Sequence, residues 1–196
     1  MDKSNVIQAS DILDYCSQYQ ALIQQGFGTI DPNALREILA VVQDTKKAGK
    51  SIYVAGNGGS AAICNHLSCD WTKGTYSAHS TTLKTHSLSS NVSLLTAISN
   101  DFSYEESFSK QVEYYLSPGD VVLLISSSGN SPNIIRAAQQ AKKQGAKLIG
   151  FSGFSGGELR RLSDISIHIA INNYGVVEDV HQSVMHVIAQ YIQSLQ

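Results

Sequence analysis

Residues 126–131 read SSSGNS, which sets four hydroxyls around one glycine and one amide. They follow the apolar run VVLLI at 121–125 and precede Pro132. Proline suits the first position of a helix, so Ser131 is the predicted N-cap and the amides of the helix start face the loop. Ser126, Ser127, Ser128 and Ser131 with those amides make a neutral phosphate cradle that needs no Lys or Arg. A second loop repeats the setting: GNGGS at 56–60, after SIYVA at 51–55. Its glycines allow close backbone approach and positive φ, which leaves Asn57, Gly58 and Ser60 able to reach a ligand. A plain strand-to-helix turn needs no ligand, but this density of hydroxyls between a buried-type strand and a capped helix favours phosphate.

Two further groups could move protons. His66 and Asp70 stand four apart in the helix predicted after GNGGS, so both side chains can converge on one point. In the last helix Glu178, Gln182 and His186 follow at four-residue steps, opposite an apolar stripe of Val177, Val180, Val184, Ile188, Tyr191 and Leu195. Imidazole and carboxylate are general acids and bases. His186 is the stronger acid/base candidate, because Glu178 and His186 are separated by about 12 Å of helical rise and share one point only with difficulty. His79, His86, His168 and His181 read as structural or surface histidines.

The elements that must position these groups alternate after residue 50. Strands are predicted at 51–55, 83–88, 121–125, 148–151 and 165–171. Helices are predicted at 60–73, 91–99, 104–116, 131–143, 158–162 and 177–195. That order argues for an α/β layer fold with a mainly parallel sheet. Both loops then lie at the carboxyl ends of strands, the edge where open α/β sheets bind ligands. The first 50 residues carry two helices, 6–26 and one starting at Asp31-Pro32, and no strand. They are expected to pack outside the α/β body or to contact another subunit, with the remaining unit at 51–196 in a single domain overall.

The chain has 196 residues, 42% apolar and 15% charged, with a formal net charge of −2. A folded globule follows, with no electrostatic pull towards nucleic acid or membrane. No apolar run reaches the roughly 18–20 residues of a membrane span. Cys16, Cys64 and Cys69 form no CxxC pair, which suits reduced thiols and a cytoplasmic location. The pattern G-x-G-x-x-A at 56–61 loosely fits a dinucleotide fingerprint, but the next acid after Asp70 is Asp101, too far on to hold a ribose. No G-x-x-x-x-G-K-[ST] run is present, so no nucleotide cofactor is expected.

GNGGSA at 56–61, AISND at 97–101, LLISSSGNSPNI at 123–134, FSGFSGG at 151–157 and EDVHQSVMH at 178–186 together resemble the SIS (sugar isomerase) domain family. Within it the likeness is to the phosphoheptose isomerases, and it spans nearly the whole chain. The resemblance implies a flavodoxin-like three-layer sandwich with a five-stranded parallel sheet, and a homotetramer with active sites at subunit interfaces. It implies aldose–ketose isomerisation of sedoheptulose 7-phosphate to D-glycero-D-manno-heptose 7-phosphate, for lipopolysaccharide or capsule precursors. Asn57 and Asp101 would contact the sugar, with Glu178 beside it. Zinc would be held at the positions of His66, Asp70, Glu178 and His186, with Asp70 and His186 catalytic.

Such a reaction needs a base beside the carbonyl, an acid for the enediol and a stabiliser for the oxyanion, tasks that carboxylate, imidazole and a Lewis-acid metal can perform. Three positions depart from the family pattern. Asp70 replaces a usual Glu, Glu178 replaces a usual Gln, and Gly74 stands where an Arg is usual, with Lys73 beside it as the candidate substitute. A non-catalytic scaffold of the replication initiator-associating type is the competing reading, as is another sugar phosphate. Retention of His186 and of an acid at 70 favours the enzyme.

Overall fold

The computed structural model describes residues 7–79 and 81–195 of the chain. Its sheet has five strands: β1 (Ser51–Gly56), β2 (Lys84–Ser87), β3 (Val121–Ser126), β4 (Lys147–Gly153) and β5 (Ile165–Ile169). All pair in parallel, in the order β2-β1-β3-β4-β5. This is the doubly wound order whose direction reverses between β1 and β3. The expected flavodoxin-like sandwich is therefore what the chain forms, and both predicted phosphate loops flank the reversal.

Alternation along β3 builds the two cores. Val121, Leu123 and Ile125 face one core with α2 (Pro32–Lys47), α3 (Gly59–Cys69) and α8 (Tyr174–Ser194). Val122 and Leu124 face the other, with α5 (Ser109–Tyr115), α6 (Pro132–Lys143) and α7 (Gly157–Leu162). A strand buried on both faces reads as an unbroken apolar run, which is why VVLLI carries no polar residue. Two helices remain: α1 (Ile12–Gly28) and α4 (Val92–Asp101).

The amino-terminal segment differs from expectation. Helix α2 buries Ala34, Ile38 and Val42 in the first core, so it forms part of the sandwich rather than standing outside it. Helix α1 lies further out, with Tyr19, Leu22 and Ile23 against that core and Ile12 and Leu13 largely exposed. It begins with Asp11 as N-cap, later than the predicted start at residue 6, which lies outside the described residues. Lys46, in the last turn of α2, is buried and donates to Thr75 O at 2.7 Å.

Helix α3 passes into a π-helical turn, Asp70–Gly74, where one continuous α-helix is predicted. The 104–116 segment likewise divides, into a 3₁₀ turn at Tyr104–Glu106 and then α5. In α8 the stripe is buried from Val177 through Ile188, but Tyr191 and Leu195 are exposed.

Candidate functional site

The serine loop leaves β3 and is clamped from beneath. Gly129 N–H donates to Ser126 O at 2.9 Å, Gly153 N–H to Ser127 O at 2.8 Å, and Leu159 N–H to Gly129 O at 2.9 Å. Gly129 has φ +69°, and a Cβ there would lie 2.0 Å from Gly156 O, so only glycine fits between the loop and the Gly156-Gly157 turn. Ser131 is the N-cap of α6 by position, yet its hydroxyl makes no capping bond. It lies 3.3 Å from Ser126 Oγ instead. Ser127 Oγ is buried and has no partner among the described residues. Hydroxyls that secondary structure leaves unused are what a ligand site requires.

These groups meet the first loop in a cleft of about 150 Å³ lined by Asn57, Ser60, the serines 126, 127, 128 and 131, Tyr174 and Glu178. Gly58, with φ +55°, is the N-cap of α3 and offers no side chain to the first turn; Ala61 N–H there turns back to Gly58 O at 3.0 Å, and the Gly59 and Ser60 amides have no side-chain cap. Ser60, one residue into α3, is buried at the cleft. The cleft thus gathers the five serines predicted to hold phosphate, with Asn57 and Ile125, whereas Gly58 is not among its lining residues.

A second cluster lies further along the same helices. His66 Nε2 is 3.3 Å from Asp70 Oδ2, and His186 Nε2 is 3.2 Å from the same oxygen. Gln182 Nε2 lies 2.8 Å from His66 Nδ1 and 3.2 Å from His186 Nε2. The His66 and His186 rings meet edge to face, centroids 4.9 Å apart. One ligand atom from each of His66, Asp70 and His186 falls within 4.8 Å of the others, a grouping that could hold a metal ion. Two imidazoles and a carboxylate suit zinc. The buried Trp71 fixes this meeting: its indole N–H donates to Met185 O at 3.1 Å, tying the residue after Asp70 to the residue before His186.

Glu178 does not join that group. Helix α8 starts at Tyr174, so Glu178 is already helical and cannot lie in a preceding turn. Its carboxylate presses on the start of α3, where a Cβ on Gly59 would come 2.1 Å from Glu178 Oε2. Burial pushes the Glu178 carboxyl above its ordinary value, with Asp179 adding to the effect. Glu178 therefore belongs to the serine cleft. Asp101 closes α4, exposed, with Asn100 Nδ2 donating to its Oδ1 at 2.9 Å, and is not among the cleft-lining residues. Lys73 is exposed and does not line it either.

Cleft and cluster lie at two points along the same pair of helices. Gly59 meets Glu178, His66 meets Gln182, and Asp70 meets His186, so α3 and α8 run side by side in the same direction. The SIS domain family profile matches residues 14–153. The chain belongs to the SIS domain family. Similar curated proteins include the phosphoheptose isomerase of Helicobacter hepaticus, 37% identical over 91% of this chain and 91% of that one. The phosphoheptose isomerase of Crocosphaera subtropica is 34% identical over 88% of this chain and 87% of that one. Among solved structures, phosphoheptose isomerase from Neisseria gonorrhoeae superposes with a TM-score of 0.85 at 25% identity, covering 93% of this chain and 97% of that one.

Sequence reasoning placed Gln182 on the face shared by Glu178 and His186 but gave it no role, and it did not anticipate Trp71, Tyr104 or Tyr174 at this SIS site. Tyr174 was legible as one more four-residue step before Glu178 on the same helix. Trp71 and Tyr104 had no local signal, because they meet Met185 O and Asn57 Oδ1 across the fold.

Proposed function

We propose that this SIS-domain protein is a phosphoheptose isomerase converting sedoheptulose 7-phosphate to D-glycero-D-manno-heptose 7-phosphate, a heptose precursor for lipopolysaccharide or capsule. The observation that carries the reading is the separation of a phosphate cradle from an imidazole–carboxylate cluster along one pair of helices. Glu178 at the cradle and His186 at the cluster differ by eight residues, about 12 Å of rise. A sugar of several carbons, held by a terminal phosphate, spans that gap and brings its carbonyl end to the cluster.

In this reading Ser60, Ser126, Ser127, Ser128 and Ser131 hold the phosphate and Asn57 steadies the sugar, while Asp101, exposed and outside the cleft lining, has no contact that supports its expected role. Asp70 and His186 share the proton work. One removes the proton from C1, beside the C2 carbonyl, giving the enediol; a proton is then delivered to C2, while the hydroxyl proton passes from O1 to O2. His66, Asp70 and His186 would hold zinc, which when bound supplies charge stabilisation for the oxyanion. Gln182 keeps the His66 ring turned towards this group. Homologues named phosphoheptose isomerase over most of the chain's length support the assignment.

A homotetramer with interface active sites also belongs to the proposal. An apolar groove lined by Leu35, Leu39, Val187, Ile188 and Tyr191, together with exposed Ile12 and Leu13, supports contact between subunits. A cytoplasmic setting is supported by the three free cysteines. Among the described residues no helix is long and apolar enough to cross a membrane.

The test is a direct isomerase assay on zinc-supplemented protein with sedoheptulose 7-phosphate. Formation of the aldoheptose phosphate is expected. Binding without turnover would favour another sugar phosphate or the scaffold role, and absence of binding would overturn the reading of the cleft.

A further inference from the structure

A network of amides reaches the serine cleft through Asn57, and its other members have no part in the roles assigned above. Asn133, in the first turn of α6, is 1% exposed. Ile134 N–H donates to its Oδ1 at 3.0 Å, which identifies that end of the side chain as the oxygen. The other end, Nδ2, donates to Asn57 Oδ1 at 2.9 Å and to Ser107 Oγ at 3.3 Å. In return Asn57 Nδ2 donates to Asn133 Oδ1 at 2.8 Å. Tyr104, whose ring is half exposed, donates its hydroxyl to Asn57 Oδ1 at 2.8 Å.

The donor and acceptor count is then decisive. Asn133 has spent both N–H groups and both lone pairs. Asn57 Oδ1 receives two donors, and an amide oxygen has two lone pairs. Asn57 Nδ2 has spent one N–H on Asn133, and its second has no partner among the described residues. Turning the Asn57 amide over would set its Nδ2 against Asn133 Nδ2 and its Oδ1 against Asn133 Oδ1, losing the reciprocal pair.

We propose that Asn133 is a positioning residue, assisted by Tyr104, that locks the Asn57 amide so that it presents an N–H and no oxygen to the ligand. Asn57 can then bind only a lone pair: a phosphate oxygen, or a carbonyl or hydroxyl oxygen of the sugar used as acceptor. The same network ties the first glycine loop to the helix after the serine loop and to the turn after α4. The two halves of the cleft are thus held at one spacing. This inference rests on the reading that the cleft takes a sugar phosphate through Asn57.

The test is a double-mutant cycle, because a residue that acts through Asn57 has nothing to act on once Asn57 is removed. Asn57→Ala, Asn133→Ser and the double variant are compared by KM and kcat in the isomerase assay and by Kd for sedoheptulose 7-phosphate in equilibrium dialysis. Asn57→Ala is expected to weaken binding about tenfold, and Asn133→Ser roughly threefold to tenfold, mainly in KM. In the Asn57→Ala background Asn133→Ser should add less than about twofold. Tyr104→Phe removes one hydroxyl from an exposed ring and should act in the same way at smaller size. It decides the cycle if Asn133→Ser does not fold. An equal loss in both backgrounds would make the network merely structural and overturn the proposal, as would unchanged affinity in Asn133→Ser. Unchanged affinity in Asn57→Ala would instead overturn the reading of the cleft.

Discussion

Acid should loosen this protein through one buried histidine. His181 sits on the inner face of α8, fully buried against the Phe151 ring, centroids 5.5 Å apart. Its Nε2 is 3.2 Å from Ser152 O, and a carbonyl only accepts, so Nε2 carries the proton. Nδ1 is buried without a partner among the described residues, so the ring has nowhere to place a second proton. Burial accordingly lowers His181 from its ordinary 6.5 to about 4. In the unfolded chain the ring takes a proton below 6.5, whereas in the folded chain it stays neutral until about 4. Between those values the unfolded state binds more protons, so stability falls as pH falls. The full contribution is present above 6.5 and is gone once pH drops through 4. At 1.36 kcal/mol per pH unit this amounts to about 3 kcal/mol, a large share of a typical domain's 5–15 kcal/mol. Urea unfolding at pH 7, 6, 5 and 4, at fixed protein concentration, would compare the native chain with His181→Gln. Glutamine keeps an N–H near the Nε2 position and does not titrate. The native chain should lose about 3 kcal/mol more than the variant across that range. Parallel curves, within about 1 kcal/mol, would refute the argument that His181 is held neutral by its surroundings.

Three other substitutions probe the cleft and the cluster. His186→Ala should cut turnover by about 10²–10⁴ while size-exclusion chromatography shows the subunit assembly unchanged; full activity would remove His186 from the proton work. Gly129→Ala forces a left-handed residue and a clash with Gly156 O, and should cost about 2 kcal/mol or more, read as a lower thermal midpoint with loss of phosphate binding. Glu178→Gln removes a negative charge from the cleft and should tighten sugar-phosphate binding roughly twofold to tenfold above pH 7, by calorimetry. Weaker binding in that variant would instead show Glu178 accepting hydrogen bonds from the sugar.

Much of the fold was legible because its signals are local. An apolar run such as VVLLI can be buried on both sides only as an interior parallel strand, and Pro132 after Ser131 marks a helix start from two adjacent residues. The hydroxyl density of SSSGNS and the glycines of GNGGS depend on no distant partner, so the phosphate cradle could be read from composition and spacing. The four-residue steps His66 to Asp70 and Glu178 to Gln182 to His186 were legible for the same reason: helical periodicity alone places them on faces.

The division of labour along α8 was not legible. Its steps show that Glu178 and His186 share a face, but the approach of α3 decides which of them meets Asp70. The Trp71–Met185 hydrogen bond sets that approach, and no local pattern announces it. The Asn57–Asn133 pair is a similar case, joining residues far apart in sequence through side chains whose direction depends on packing. By itself, then, the sequence determined the layers, the sheet class and the chemistry of the two loops, since propensity, periodicity and turn geometry act over a few residues. Only the tertiary structure decided that Glu178 belongs to the phosphate end and His186 to the proton-transfer end, because that depends on how two helices register against one another across the core.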